Sequence, residues 1–206
     1  MGFYRENILP RIHNWALDND EIRAIRGRVC APLHGEVVEI GFGSGLNVAH
    51  YPATITWVHA IEPSALGRRL AAARVAGSPV PITFDGLDGQ CLPLDDESVD
   101  TAVVTFSLCS VPDQDLAARE LHRVLRPGGL VSYVEHGASP DPAVLTWQRR
   151  LNPINRHLSG CLLDTPTPSV LHAAGFEPAD DDRQYYLKGG PRWAACLHEG
   201  VVRKPA

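Results

Sequence analysis

Three glycines stand within five positions, at Gly41, Gly43 and Gly45, directly after the apolar run Val37, Val38 and Ile40 that Glu39 interrupts. A glycine-rich turn between a buried strand and a helix lets backbone atoms approach a ligand closely, because no Cβ intrudes and positive φ is cheap. Seventeen residues beyond Gly45, "HAIEPS" sets Glu62 and Pro63 at the end of the next apolar run. A carboxylate there is placed to accept two hydrogen bonds from the vicinal hydroxyls of a ribose, the competing reading being a solvated strand-end glutamate. Asp88 and Gly89 lie in "GLDGQCLPL", with Asp85 as the alternative if the loop register is shifted. Ser107 and Leu108 close "SVDTAVVTFSLCSV", and Glu135 and His136 end "LVSYVEH". His136 is the best available general base, while Glu135 either orients that imidazole or caps a neighbouring loop.

The spacing excludes other chemistries. A pyrophosphate fingerprint G-x-G-x-x-G needs a third glycine where Leu46 stands, which argues against a nicotinamide dinucleotide. Cys30, Cys91, Cys109, Cys161 and Cys196 are odd in number and include no Cys-x-x-Cys pair, none of the nine histidines forms H-x-x-x-H, and no acidic trio suggests magnesium, so no metal is expected. Unpaired cysteines fit a reducing cytoplasm. A net charge of −5, with no basic stripe, argues against nucleic acid. No window reaches the roughly 18 apolar residues that span a bilayer, and the N-terminus lacks the apolar core of a signal peptide.

To position these residues, short Val/Ile-rich runs alternate with helical patterns, the signature of a parallel sheet covered on both faces. Strands are expected near 36–40, 55–61, 80–84, 99–105 and 129–135, with two more around 176–187 and 192–202. "SALGRRLAAARVA" and "DQDLAARELHRVL" carry helical spacing, the second capped by Asp113 and stopped at "RPGG". Residues 3–30 read as one or two helices forming a lid, with Tyr4, Ile8, Trp15, Ile22 and Ile25 as buried-face candidates. After the fifth strand, a helix carrying Trp147, Asn155 and His157 is expected to break at Pro153. At 206 residues the chain suits a single domain.

"EIGFGSGLN", "HAIEPS", "GLDGQCLPL", "SVDTAVVTFSLCSV" and "ELHRVLRPGGLVSYVEH" occur in order across residues 36–136 and together resemble the class I S-adenosylmethionine-dependent methyltransferases. "FSLCSVPDQ", "EHG", "TWQRRLNPINRHLSGC" and "AAGF" look like the methyltransferase-like 7 proteins, which are associated with thiol methylation, and their soluble bacterial relatives. The resemblance implies an α/β Rossmann-like seven-stranded, mostly parallel sheet whose last strand is antiparallel. It implies a cofactor-binding core over 36–136, a lid over 1–30 and substrate-side elements over 137–206. It also implies S-adenosylmethionine held by Glu39, Gly41, Phe42, Gly43, Ser44, Gly45, Asn47, Glu62, Pro63, Asp88, Gly89, Ser107 and Leu108. The acceptor is then a small molecule, a thiol being one candidate. A phenol, quinone or phospholipid amine, or a non-catalytic S-adenosylmethionine sensor, are the alternatives.

Overall fold

The computed structural model describes residues 3–179 and 182–206. The strands among the described residues are β1 (Gly35–Ile40), β2 (Ile55–Ile61), β3 (Ile82–Gly86), β4 (Val99–Thr105), β5 (Leu125–His136), β6 (Glu177–Pro178), β7 (Arg183–Tyr186) and β8 (Cys196–Arg203), with β1, β2, β4, β5 and β8 built on runs rich in Val, Ile and Leu. They form one sheet of order β3-β2-β1-β4-β5-β8-β6, with β7 also paired to β8. The first five strands are parallel, and β8 runs antiparallel to β5, β6 and β7. Among the described residues the sheet thus has eight strands where seven were expected. The strand expected over 176–187 is two short strands on either side of 180 and 181, which lie outside the described residues.

The period of two along each strand decides what faces what. Val37, Val103 and Val134 join one core, with Ile22, Ile25 and Val29 of the helix α3 (Asp20–Cys30). Val38, Val104 and Tyr133 join the other, beneath α5 (Gln114–Val124) and α7 (Thr167–Ala173), where Leu121, Leu171 and Phe176 pack. By the same parity Glu39, Thr105 and His136 fall on the α3 side, and Glu135 on the α5 side.

Helix ends follow local chemistry. Asn19 caps α3, Ser64 caps α4 (Ala65–Ala76) and Asp113 caps α5, each accepting from an amide of the first turn. The segment 3–30 holds three helices rather than one or two: α1 (Phe3–Asn7), α2 (Leu9–Ala16) and α3. Only α3 buries its predicted residues; Tyr4 and Ile8 are exposed and Trp15 is 80% exposed. The reason is that α1 and α2 are held by polar links, with Tyr4 Oη donating to Leu158 O, Arg5 to Arg156 O and Arg74 of α4 to Asn14. The helix α6 (Pro142–Leu158) passes through Pro153 without breaking. Asn152 and Asn155, on either side of that proline, are fastened to Asp164, Leu163 and Cys161, and these anchors hold the helix where one backbone donor is missing. A single turn, α8 (Arg192–Ala195), leads into β8.

Candidate active site

The glycine turn leaves β1 at the carboxyl edge of the sheet, where open parallel sheets bind ligands. Gly41, Gly43 and Gly45 all have positive φ, at 75°, 58° and 76°. Their surroundings differ. A Cβ on Gly41 would meet Ser107 Cβ at 2.2 Å and one on Gly45 would meet the Phe42 ring at 3.1 Å, whereas one on Gly43 meets only Gly41 O at 3.8 Å. Gly41 and Gly45 are therefore bare for packing, and Gly43 is bare beside open space.

Glu62 holds that space in shape. Its buried carboxylate accepts from Gly43 N and from Ser64 N, each at 2.6 Å, and so joins the glycine turn to the N-terminus of α4. Burial raises its pKa against those two amide bonds. Two acceptors engaged on a carboxylate leave lone pairs for further donors. Arg74 fixes the other side of the turn by donating to Ser44 O at 2.9 Å.

Glu39 lies beneath this surface. It is buried, and it accepts from Asn47 Nδ2 at 3.0 Å and from Tyr51 Oη. Asn47 Oδ1 in turn accepts from Arg26 at 2.7 Å, and Arg26 also donates to Thr105 Oγ1 at 3.0 Å. Burial pushes the Glu39 carboxyl up to about 7, opposed by Tyr51 and by the Arg26 charge. Arg26, Tyr51 and Thr105 were missed from sequence, although Arg26 shares the buried stripe of α3 with Ile22, Ile25 and Val29, a phase that would have flagged it. Its Nε has no hydrogen-bond partner among the described residues.

On the α5 side, fully buried Glu135 accepts from Ser107 N at 2.7 Å, Leu108 N at 2.9 Å and Cys109 N at 3.1 Å. It caps the turn after β4, one of its two expected roles. Ser107 Oγ donates to Ile40 O at 2.6 Å, which locks that turn against the glycine turn. His136 points to the opposite face. Its Nδ1 lies 3.8 Å from Cys109 Sγ and 3.7 Å from Cys161 Sγ, and its ring meets Phe106 edge-on.

Contact with Cys109 holds the Cys161 thiol below its ordinary value against burial, His136 acting in the same direction, while that contact and burial push Cys109 up. Burial disfavours the His136 cation, yet Cys161 and Glu135 outweigh it and raise the imidazole.

The remaining expected residues divide. Phe42, Asn47 and Leu108 are turned into the protein as support, and Ser44 is buried in the turn. Pro63 is exposed beside Glu62, Asp88 is exposed and accepts from Gln90 N at 2.9 Å, and buried Gly89 packs on Ile40. Asp85 is engaged by His59 and Thr83, so the shifted register would require breaking both contacts. Trp147 is 55% exposed rather than packed, with Arg150 over its ring. His157 is exposed, and Asn155 reaches Cys161.

The profile of a family described as "Methyltransferase domain" matches residues 38–133, the stretch that carries the glycine turn, Glu62 and the turn after β4. The human thiol S-methyltransferase TMT1B is 31% identical over 167 residues, which is 78% of this chain and 67% of that protein. The chain belongs to the S-adenosylmethionine-dependent methyltransferases. A demethylmenaquinone methyltransferase of Clavibacter sepedonicus is 31% identical over 63% of this chain and 53% of its own length. A methyltransferase of Thermotoga maritima shares the fold at a TM-score of 0.70 and 20% identity, covering 99% of this chain and 100% of that one. For this methyltransferase the cofactor is S-adenosylmethionine, and the open space over Gly43 beside Glu62 fits its need for bare backbone next to a sugar-binding carboxylate. No helix among the described residues is long and apolar enough to cross a membrane.

Proposed function

We propose that the chain methylates a small thiol in a reducing cytoplasm, holding S-adenosylmethionine over Gly43 with its ribose on Glu62. The observation that carries the cofactor half is the contrast among the three glycines, since only Gly43 is bare without an internal neighbour to explain it. Gly41 and Gly45 set the turn, Ser44 and Pro63 border it, and Phe42, Glu39 and Asn47 support it from below. Asp88 and Gly89 take the base end of the nucleoside, and the turn backbone at Ser107 and Leu108 borders the methionine end. The helices α1 to α3 act as the lid of a single domain, latched by Arg74 to both Asn14 and the turn.

The bound cofactor supplies a methyl group on a positively charged sulfur, already activated as an electrophile. What the chain must then provide is alignment in a water-poor site. Thiols ionise near 8.5, so modest help suffices. His136, at the end of β5 on the lid side, is the base for that proton. The thiol assignment draws on the relationship to TMT1B and on the soft, sulfur-rich surroundings of His136. A quinone is the second reading, favoured by the Clavibacter relative and by the exposed apolar residues Ile8, Ile12 and Trp15.

Calorimetry with S-adenosylmethionine, followed by turnover on alkyl thiols, quinols, phenols and amines, tests both halves. Binding with thiol turnover is expected. Binding with no turnover on any acceptor would leave a sensor, and turnover on quinols alone would replace the thiol.

A further inference from the structure

The densest gathering of soft donor atoms among the described residues is not in the glycine turn. Cys109 comes from the turn after β4, His136 from the end of β5 and Cys161 from the loop after α6, and their donor atoms all lie within 4.8 Å of one another. Both cysteines are buried, His136 is partly exposed, and all five cysteines of the chain are free thiols. A tetrahedral zinc with bonds of about 2.3 Å to sulfur and about 2.0 Å to nitrogen places those ligands roughly 3.6 Å apart. The two sulfur-to-Nδ1 distances here are 3.8 and 3.7 Å.

We infer that Cys109, His136 and Cys161 form a three-ligand site for a thiophilic divalent ion, zinc by its two-sulfur, one-nitrogen donor set, with a fourth position left for an exchangeable ligand. The surroundings resemble an outer coordination shell. Asn155 Nδ2 donates to Cys161 Sγ at 3.3 Å and to Cys161 O at 2.9 Å, and Ser159 Oγ lies 3.7 Å from the same sulfur. The three amide bonds to Glu135 fix the backbone of Cys109. Two thiolates also neutralise a divalent cation, which suits a buried place. His13 on α2 is not among the residues whose donor atoms converge, so it lies outside the ligand set.

The three-ligand count with an open position is that of a catalytic zinc site rather than a closed structural one. On the thiol reading above, on which this part rests, the acceptor sulfur takes the fourth position, and with His136 bound to the ion it is the metal, in place of the imidazole, that promotes loss of the thiol proton. Its proton passes to solvent as the sulfur joins the ion. The new sulfur–methyl bond then forms as the sulfonium–methyl bond breaks, and the thioether leaves with adenosylhomocysteine as the other product.

Cobalt(II) alone is the probe. The full chain is reduced, stripped with chelator and titrated with cobalt, with far-ultraviolet circular dichroism as the check on folding. One cobalt per chain is expected, with a sulfur-to-cobalt charge-transfer band and the intense visible absorption of tetrahedral cobalt. Cys109→Ser and Cys161→Ser should each lose at least half of the charge-transfer intensity, and Cys91→Ser, at an exposed cysteine, none. A small alkyl thiol added to the cobalt form should strengthen the band. Absence of the band in the folded chain, or a band unchanged in Cys161→Ser, would overturn the site. No response to the thiol would overturn the fourth-ligand assignment. Full thiol turnover by the stripped chain would do the same while leaving the thiol reading intact.

Discussion

Two clusters at the sheet's carboxyl edge, one around the glycine turn and one around His136, are assembled in opposite ways. On the cofactor side, Gly43 pairs with Glu62 and Glu39 with Asn47 within one stretch of chain, with Arg26 and Thr105 reaching in to Asn47 from outside it. On the acceptor side, Cys109, His136 and Cys161 meet from elements far apart in the chain. The cofactor side is a fixed cradle: Asn47 and Tyr51 engage Glu39, and Glu62 is held by two backbone amides with lone pairs left over. The acceptor side leaves three soft donors facing one another. On the proposed reading, one half holds a constant ligand and the other offers reactive atoms.

The sharpest way to break the comparison is to remove the carboxylate that spans it. Glu135→Ala leaves three buried amides without an acceptor, and at about 1–3 kcal/mol for each unsatisfied group the loss of stability should reach about 4 kcal/mol in urea unfolding. Glu135→Gln, which retains one carbonyl acceptor, should recover a good part of it. A loss under 1 kcal/mol in the alanine variant would show that the turn after β4 is held by something else.

Glu39 gives the next effect, and its sign is opposite to that of a salt-bridged carboxylate. Its folded pKa, about 7, lies above the ordinary carboxylate value near 4.5, so the native state keeps a proton that the unfolded state has released. Stability therefore falls as pH rises from about 4.5 to about 7, by roughly 3 kcal/mol for this group, and levels off above. Glu39→Gln should remove that slope, so the variant gains on the parent across the window. Parallel stability curves would mean that Arg26 keeps Glu39 ionised throughout.

Smaller still, Glu62→Ala should weaken S-adenosylmethionine binding by about 2 kcal/mol, the scale of hydrogen bonds to a charged acceptor, as read by calorimetry. A change of a few tenths would leave Glu62 as a brace for the turn and no more. Smallest in stability is Gly43→Ala. It should lower stability by only about 1–2 kcal/mol, the strain of positive φ, because the space beyond is open. Gly41→Ala should cost more, since its Cβ collides with Ser107 as well. Affinity should reverse that order relative to stability, Gly43 losing more binding per unit of stability lost.

The same contrast explains what the sequence disclosed. The bounds of β1, β2 and β4, the Asp113 cap and the Glu62 strand end were legible because periodicity and motif spacing are local signals. The sequence named two roles for Glu135, and the fold chose between them by bringing three amides of the turn after β4 onto it. The Cys109, His136 and Cys161 triplet was invisible, since no spacing in the chain marks residues joined only by folding. The exposed faces of Tyr4, Ile8 and Trp15 were misread because an aromatic stripe looks the same whether it meets core or surface. Pro153 was misread because helix breaking is a local tendency, overridden here by the side-chain anchors of Asn152 and Asn155.

The most direct measurement is a crystal structure of the chain grown with adenosylhomocysteine. The account predicts the nucleoside against the bare face of Gly43 with both ribose hydroxyls on Glu62. Ligand density elsewhere, or a Glu62 that still touches only Gly43 and Ser64 while the ligand is bound, would contradict it.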